Sequence, residues 1–547
     1  MSHLLAEGLV HQAEGRLDQA ARCYLAHLAG VPEEPNGLHL LAGLLAELGE
    51  VAEAERRFRA VLAVQPRRPD TLALLGLLLL DDNRPVAALV ALTRALALAP
   101  GLAVAAAGRD RALQALGRGG EVAGIAPPAL REPAPPQVRA AALRVLGHGE
   151  AALAAAEAAV AGDPGDAEAW ALHGVTLQGL NRPAEALASY DRALARAPGH
   201  ADAAINRAAA LSEMGCLAEA LAGFSALPAG QGYPHWAAAT LRLQLGDWPA
   251  GWRGYEARQS LMPTLGTAPH PAPRWQGEPL AGKRILVQAE QGLGDMIQFC
   301  RYAPALARLG AQVVVQAPAA LTRLFGSLDG VAEVVARDRP VEADLSVWML
   351  SLPHLLGTTL ASVPGAVPYL AADPRAVAGW RVRLAGLPGL KVGLVWAGGH
   401  RPAEIDSARM DRRRSLPLAA LAPLAAVPGI SFVSLQVGPA ASQAAAPPAG
   451  MALFDPTADL ADFADTAALL SALDVVISVD TSVAHLAGAL GRPVWLLNRF
   501  DRCWRWLWDR DDSPWYPTMR LFNQSAPGDW DGVLARVSAA LAEVAHG

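Results

Sequence analysis

The sequence has little cysteine, no long apolar run and no excess of positive charge, and each of these excludes a class of protein. Four cysteines in 547 residues form no CxxC pair, which excludes a disulfide framework and a thiolate metal site and favours a cytoplasmic location. The longest apolar run, around residues 72–80, is too short to cross a bilayer, so we expect no membrane insertion. The formal net charge is −6, so no cationic field attracts nucleic acid. We therefore do not expect nucleic acid as a partner.

An internal repeat of 34 residues is the first positive signal. Three prolines are spaced at this interval, and each closes a helical pattern in which small, alanine and large apolar residues keep the same offsets. The same spacing returns over 152–164, 170–198 and 215–224, and in part over 246–255. The matching positions of the first three copies are Gly15, Ala20, Tyr24 and Pro32; Gly49, Ala54, Phe58 and Pro66; and Asn83, Ala88, Leu92 and Pro100.

These offsets suit tandem pairs of helices. A small residue is needed where two helices cross closely, a large apolar residue fills the groove towards the next pair, and proline ends the second helix. The pattern resembles the tetratricopeptide repeat family over most of residues 1–258, with a degenerate copy around 101–137. The resemblance implies a curved α solenoid whose concave face binds a protein or peptide. We interpret the individual alanines and aromatic residues as core.

The pattern changes after a proline-rich segment, which we interpret as a linker over 259–282. Beyond it, short β-branched runs alternate with helical stretches, which is typical of parallel sheets covered by helices. A proline- and glycine-rich seam at 384–393 separates two groups of strands, so we predict two doubly wound α/β domains facing a cleft, 283–388 and 389–547. The predicted strands are 284–290, 311–318, 331–336, 343–350, 391–399, 430–437, 474–480 and 494–498.

The turn after the first predicted strand, QAEQGLGDMIQF, is one candidate site. Gly292 and Gly294 lack a β carbon and let a ligand approach the main chain, while a helix that starts at Asp295 offers free N–H groups. Ligands of doubly wound sheets bind beyond the carboxyl ends of strands, so the position fits a binding site. The alternative is that Asp295 only caps the helix.

A second turn, DVVISVDTSVAHLAGALGRPVWLL, has the same position relative to a later strand. Asp480, Thr481 and Ser482 follow this strand, and His485 lies one helical turn further on. Hydroxyl groups, helix-start N–H groups and an imidazole on one face would hold a phosphate or diphosphate. In the alternative interpretation the Asp/Thr pair caps the helix and the histidine is half-buried.

Together the two turns resemble the glycosyltransferases of the GT-B type, which consist of two Rossmann-like domains. Within that type they resemble the heptosyltransferase-like branch, which has a GD turn early and a D-T/S-x-x-x-H turn late. The resemblance covers about residues 283–547. Chains that join tetratricopeptide repeats to such a domain resemble bacterial protein glycosyltransferases, including those that modify flagellin, and are similar in outline to O-GlcNAc transferase.

The resemblance implies roles for the residues of both turns. It makes Asp295 the general base that faces the acceptor hydroxyl, and it places Asp480, Thr481, Ser482 and His485 on the donor phosphates. Ser482 stands where heptosyltransferases commonly have glycine, so this sequence departs from the family pattern at the point of closest approach between donor and backbone.

The resemblance also implies an acceptor side, 283–388, and a nucleotide-sugar side, 389–547. Lysine occurs only at 283 and 391, so no lysine aligns with the basic residue that stabilises the leaving diphosphate. Arg414, in the run MDRRRSLPL, is predicted to replace it, since a guanidinium can bind phosphate oxygens bidentately. The alternative is that 412–414 form a solvated basic loop.

The predicted function is an inverting glycosyltransferase that uses a nucleotide sugar as its donor substrate and needs no cofactor. No DxD-like acidic pair follows a strand, so we predict metal independence. The acceptor would be a protein held by the repeats, with flagellin or another surface protein as the example. Two alternatives stay open: an inactive scaffold that only binds a nucleotide or partner, and a transferase for lipid-linked or lipopolysaccharide glycans.

Aromatic residues are concentrated in the segment 501–522, although they make up 5% of the chain. Stacking on a base or sugar ring is one interpretation, and Trp396 at the end of a predicted strand is a substrate-binding candidate for the same reason. The other interpretation is that the segment packs as a lid or against the domain seam. Its aromatic residues include Trp504, Trp506, Trp508, Trp515 and Tyr516.

Overall fold

The computed structural model describes residues 2–116, 135–228, 232–261, 270–399 and 405–546. It divides into two compact units, Met1–Asn206 and Arg207–Gly547. Parts of the predicted degenerate repeat (101–137) and of the predicted linker (259–282) lie outside the described residues. Among the helices of the described ranges, none is both long and apolar enough to span a membrane.

The first unit consists of successive helices that pack against their neighbours in the chain. Most of them are 13 or 14 residues long, which suits the two helices of a 34-residue repeat. They are α1 (His3–Ala13), α2 (Leu17–Gly30), α3 (Pro35–Glu47), α4 (Val51–Val64), α5 (Pro69–Asp81), α6 (Pro85–Leu98), α7 (Ala103–Ala115), α8 (Pro136–Val145), α9 (Gly149–Gly162), α10 (Ala167–Gly179), α11 (Pro183–Arg196) and α12 (Ala201–Glu213), the last of which crosses the unit boundary.

The repeat positions explain why these helices pair. A β carbon on Gly8 would collide with the ring of Tyr24, which is fully buried, and Gly174 stands in the same relation to Tyr190. The tight turn inside each pair needs a residue with positive φ. Asn83, at φ 55°, and Asn181, at φ 62°, take the place that glycine holds in the other copies. The repeated glycine, asparagine and aromatic positions are therefore structural, as predicted.

The second unit starts with the remaining helices of the repeat half. These are α13 (Leu217–Ser225), α14 (Gly232–Gln244), α15 (Trp248–Tyr255) and α16 (Arg258–Leu261). Trp248, Trp252 and Tyr255 are at most 1% exposed and belong to the same core as the strands that follow. The boundary between the compact units therefore lies before the predicted linker, because the last repeat helices pack on the α/β half.

The first sheet has four parallel strands in the order β3-β2-β1-β4. Buried valine, leucine and isoleucine side chains fill its central strands, as expected for a sheet covered on both faces. Its elements are β1 (Arg284–Gln288), α17 (Leu293–Phe299), α18 (Ala303–Arg308), β2 (Gln312–Ala317), α19 (Ala319–Phe325), β3 (Val331–Ala336), β4 (Leu345–Trp348), α20 (Leu352–Leu355) and α21 (Pro374–Leu384).

The second sheet has six parallel strands in the order β10-β9-β8-β5-β6-β7. Strands β5, β8 and β9 lie in its middle and are almost wholly buried. Its elements are β5 (Leu390–Val395), α22 (Ile405–Arg414), α23 (Ala422–Ala425), β6 (Ile430–Ser434), β7 (Leu453–Phe454), α24 (Phe463–Leu470), β8 (Val475–Val479), α25 (Ser482–Ala489), β9 (Val494–Asn498), β10 (Met519–Asn523) and α26 (Trp530–His546).

The two sheets confirm the predicted fold class. A series of paired helices precedes two doubly wound α/β domains, and all eight predicted strands are present. Sequence reasoning missed β7, which has two residues, and β10, which lies at the end of the aromatic segment. Helix α17, which follows β1, packs against α25, which follows β8, so the carboxyl ends of the two sheets meet.

Candidate functional site

The two predicted turns lie in direct contact. A β carbon on Gly294 would lie 3.0 Å from Cδ2 of His485 and 3.3 Å from Cα of Ser482. Position 294 therefore needs glycine because another turn of the same chain approaches it closely. The sequence analysis had assigned that space to a ligand. The contact brings the amino ends of α17 and α25 to one place.

Replacing Gly294 with alanine tests this close approach. We expect Gly294→Ala to destabilise the protein by about 1–3 kcal/mol, because overpacking a tight contact forces the two turns apart. Gly379→Ala is the matched control, since a β carbon at Gly379, in α21, meets nothing within 4 Å and gains up to about 1 kcal/mol of helix propensity. Urea unfolding of both variants checks the opposite signs; equal effects would contradict the packing role.

Asp295 is both a helix-capping residue and an accessible carboxylate. Its Oδ2 accepts a hydrogen bond of 2.8 Å from the backbone N–H of Gly292, the residue that precedes α17. Its Oδ1 pairs with Nη2 of Arg505. The side chain remains 22% exposed, so a substrate hydroxyl can reach it. Gly292 has extended backbone, and a β carbon there would lie 3.1 Å from Oδ2 of Asp295.

The second turn, Asp480 to Ser482, is arranged as the start of a helix. We call it the donor turn because the family resemblance assigns it to the donor phosphates. Thr481 precedes α25 without capping it through its side chain, and its hydroxyl is 3.1 Å from the hydroxyl of Ser478. Ser482 is the first helical residue. The side chain of Asp480 is 18% exposed, and its Oδ1 lies 4.0 Å from Nε2 of His485. The first N–H groups of α25 can therefore bind an anion.

His485 is a buried, neutral imidazole. Its Nδ1 lies 2.9 Å from the hydroxyl of Tyr516, and its ring stacks on Trp506 with 5.3 Å between centroids. Burial lowers its pKa to about 4, which outweighs the opposite influence of the Asp480 charge, while Arg505 adds to the lowering. Near neutral pH His485 can thus donate or accept a hydrogen bond but carries no charge.

The low pKa of His485 predicts a pH dependence of stability. The pKa of His485 is about 6.5 in the unfolded chain and about 4 in the folded chain. The unfolded chain therefore binds the proton first, and the free energy of unfolding falls as the pH falls from about 6.5 to about 4. We expect His485 to account for a loss of about 2 kcal/mol between pH 8 and pH 5. Urea unfolding of wild type and His485→Asn at both pH values checks this, and an equal loss in the two proteins would contradict it.

Arg414 lies beside the donor turn. Its Nη1 donates a hydrogen bond of 3.2 Å to the carbonyl oxygen of Asp480, and its Nε bonds Oδ1 of Asp411 at 3.0 Å. A β carbon on Gly398, beyond the end of β5, would collide with both side chains. The run 412–414 is the end of helix α22, not a loop. The Arg414 side chain is 25% exposed, so a phosphate can reach it.

Trp396 was predicted to bind substrate, but the structure places it outside this site. Its side chain is fully buried in the core of the six-stranded sheet, among residues such as Leu416 and Ile477. The ring has no free face for a base or sugar. In the aromatic segment, Trp504, Trp506, Trp515 and Tyr516 are also buried, which supports the packing interpretation for these four residues.

The sequence did not predict two ion pairs. One joins the buried Arg505 to the partly exposed Asp295. The other is fully buried and joins Arg258 of α16 bidentately to Glu290, directly after β1, with distances of 3.0 and 2.8 Å. Neither pair shows a local spacing, because the partners are 210 and 32 residues apart. For the first pair, the sequence offered one signal, which is the position of Arg505 within the aromatic segment 501–522.

Potential metal ligands are not concentrated at the two turns. Within the described ranges, the group of three His, Cys, Asp or Glu side chains whose ligand atoms lie within 4.8 Å of one another is Glu7, His11 and Cys23, in the first unit. Metal independence of the candidate site stays a prediction.

Comparisons with known proteins agree with the repeat half and add one relative. The family described as Tetratricopeptide repeat matches residues 5–55, 39–103 and 171–234. Protein FlbA of Caulobacter vibrioides is 33% identical over 341 residues, which cover 56% of this chain and 55% of FlbA. The chain therefore spans about half the length of the curated relative it matches.

Solved structures of two transferases align with about half of the chain. One is Escherichia coli ADP-heptose lps heptosyltransferase II, which is 14% identical to this chain. The alignment covers 48% of this chain and 99% of that structure, with a TM-score of 0.36. A glycosyl transferase family 9 protein from Veillonella parvula is 12% identical, covers 50% and 98%, and has a TM-score of 0.36. The chain thus carries tetratricopeptide repeats at 5–103 and 171–234, followed by a two-sheet α/β half.

Proposed function

We propose that the chain is an inverting glycosyltransferase that moves a sugar from a nucleotide sugar to a protein held by its repeats. The observation that carries the proposal is the contact of the two turns at Gly294. This contact places an accessible carboxylate, Asp295, next to the start of α25, where N–H groups are free to bind phosphate. Transfer from a nucleotide sugar needs a proton acceptor and a phosphate-binding group side by side.

Asp295 acts on the acceptor. Its carboxylate takes the proton of the acceptor hydroxyl as that oxygen attacks the anomeric carbon. The bond from the anomeric carbon to the diphosphate oxygen breaks at the same time, and its electron pair leaves with the diphosphate. Direct displacement from the opposite face inverts the anomeric configuration.

The donor turn stabilises the leaving diphosphate. The first N–H groups of α25 and the hydroxyl of Ser482 donate hydrogen bonds to its oxygens, and Arg414 contributes a positive charge. His485 contributes a neutral hydrogen bond, since burial removes its charge. These groups are held by packing before the substrate arrives, so no metal is needed.

The repeats bind the acceptor in this proposal. Tetratricopeptide repeats in the first 234 residues support a protein as partner, and the concave face of a helical solenoid is its extended binding surface. We propose a cytoplasmic enzyme with flagellin or another surface protein as acceptor, acting before that protein leaves the cytoplasm.

A non-catalytic scaffold is the second candidate, and one observation favours it. Both oxygens of Asp295 are already engaged, one by the N–H of Gly292 and one by Arg505. A carboxylate with these partners serves the fold even if no proton transfer takes place. In that case the α/β half would bind a nucleotide or a partner without chemistry.

A nucleotide-release assay separates the two candidates. The full-length protein is mixed with UDP-, GDP-, dTDP-, ADP- or CMP-activated sugars and with extract of a strain that lacks it. We expect release of one nucleotide only when the extract is present, and no release with Asp295→Asn. Binding of a nucleotide without release would favour the scaffold, and wild-type release that Asp295→Asn retains would contradict the role of Asp295.

A further inference from the structure

Arg505 is the buried arginine that contacts the candidate base. It lies between β9 and β10 of the six-stranded sheet, is 7% exposed, and pairs through Nη2 with Oδ1 of Asp295 in α17. We propose that Arg505 positions the Asp295 carboxylate for proton transfer from the acceptor. This inference rests on the proposed function.

Arg505 is itself held on several sides. Its Nε donates a hydrogen bond of 2.6 Å to Oε1 of Gln298, and its Nη1 lies 3.2 Å from Sγ of Cys503. The guanidinium also lies over the ring of Trp504, 4.2 Å from the centroid. Because its position is fixed by these contacts, the guanidinium can fix the carboxylate in turn.

The orientation of Asp295 is then determined at both oxygens. The N–H of Gly292 holds Oδ2 and Arg505 holds Oδ1, so rotation of the carboxylate would break one bond or the other. Each carboxylate oxygen has two lone-pair sites, so each keeps one site for a substrate proton. A single orientation of the base is what efficient proton transfer requires.

The ion pair also joins the two α/β domains inside the site. Asp295 belongs to the four-stranded domain and Arg505 to the six-stranded domain, which carries the donor turn. Burial opposes the charge of Arg505, but the Asp295 carboxylate outweighs it and raises the pKa of the guanidinium, which stays charged. The base thus keeps a fixed place relative to the donor phosphates.

The test compares Arg505→Gln, Arg505→Lys and the control Arg502→Gln in the nucleotide-release assay at pH 7, with kcat and KM measured for the nucleotide-sugar donor. We expect Arg505→Gln to lower kcat by about 10²-fold, because the base is misplaced. The KM for the donor should stay within about 2-fold, because the residues proposed to contact the donor are unchanged. Arg505→Lys keeps a positive charge beside Asp295 and should recover part of the lost rate. Arg502 bonds the backbone of its own loop, and Arg502→Gln should leave kcat and KM unchanged.

A purely structural role would give different kinetics. A rise in the KM for the donor that accounts for the fall in kcat/KM in Arg505→Gln, or no recovery of the rate in Arg505→Lys, would overturn the inference while the proposed function stands. Absence of release by wild type with every donor overturns the proposed function and with it the positioning role of Arg505.

A melting cycle tests the positioning without any activity. The shifts in melting temperature of Arg505→Gln and Asp295→Asn should not add in the double variant, because the second change removes a pair that is already broken. Additive shifts would overturn the positioning of Asp295 by Arg505.

Discussion

Replacing Asp295 with asparagine is expected to lower the rate of sugar transfer by about 10²–10⁴-fold, the usual contribution of a general base. The amide keeps the shape of the side chain and can still accept the hydrogen bond from Gly292, so the fold should persist. It cannot take a proton from the acceptor. Initial rates of nucleotide release and the melting temperature, measured on one preparation, check both parts.

Asp462→Asn is the matched control for this substitution. Asp462 also accepts backbone hydrogen bonds at a helix start, α24, and pairs with an arginine, Arg323. We expect its replacement to lower stability slightly and to leave the transfer rate within about 2-fold, since cap and surface-pair effects are small. A similar fall in rate in both variants would indicate that the Asp295 effect is structural.

The second large effect is expected at Trp252, in the helix α15 that precedes the sheets. Its ring is 1% exposed and packs against Phe299, Trp504 and Trp515. Trp252→Ala should lower the free energy of unfolding of the second unit by about 3–5 kcal/mol, the usual cost of removing a buried tryptophan. Urea unfolding followed by circular dichroism measures it.

Tyr233→Ala serves as the comparison, since Tyr233 is an aromatic residue of the neighbouring α14 that is 44% exposed. Its replacement should cost no more than about 1 kcal/mol. If Trp252→Ala lowered the free energy of unfolding by no more than Tyr233→Ala does, the last repeat helices would not be part of the α/β core. The boundary between the repeat half and the α/β half would then lie at the predicted linker, 259–282.

The repeats and the strands could be predicted because their signals are local. The 34-residue spacing of proline, glycine and alanine and the β-branched runs depend on residues close together in the chain. Strand β10, with the sequence MRLFN, was missed because it follows a segment dominated by tryptophan, which carries no period. The two residues of β7 are too few to form a pattern.

The site was predicted only in part, because its pairings are long-range. Strand ends and helix starts located the two turns, but only the fold shows that they are in contact at Gly294. A tryptophan after a strand can face either the core or the cleft, and Trp396 faces the core. Arg505 lies 210 residues from Asp295, and no local rule joins such residues.

Mass spectrometry of intact host proteins and their glycopeptides shows directly whether this protein transfers a sugar to another protein. It compares wild type, a deletion strain, and the deletion strain complemented with wild type or with Asp295→Asn. We predict that one protein loses the mass of a sugar in the deletion strain, regains it with wild type and does not regain it with Asp295→Asn. Unchanged masses of all proteins in the deletion strain would contradict transfer to a protein acceptor, and restoration by Asp295→Asn would contradict the role of Asp295 as base.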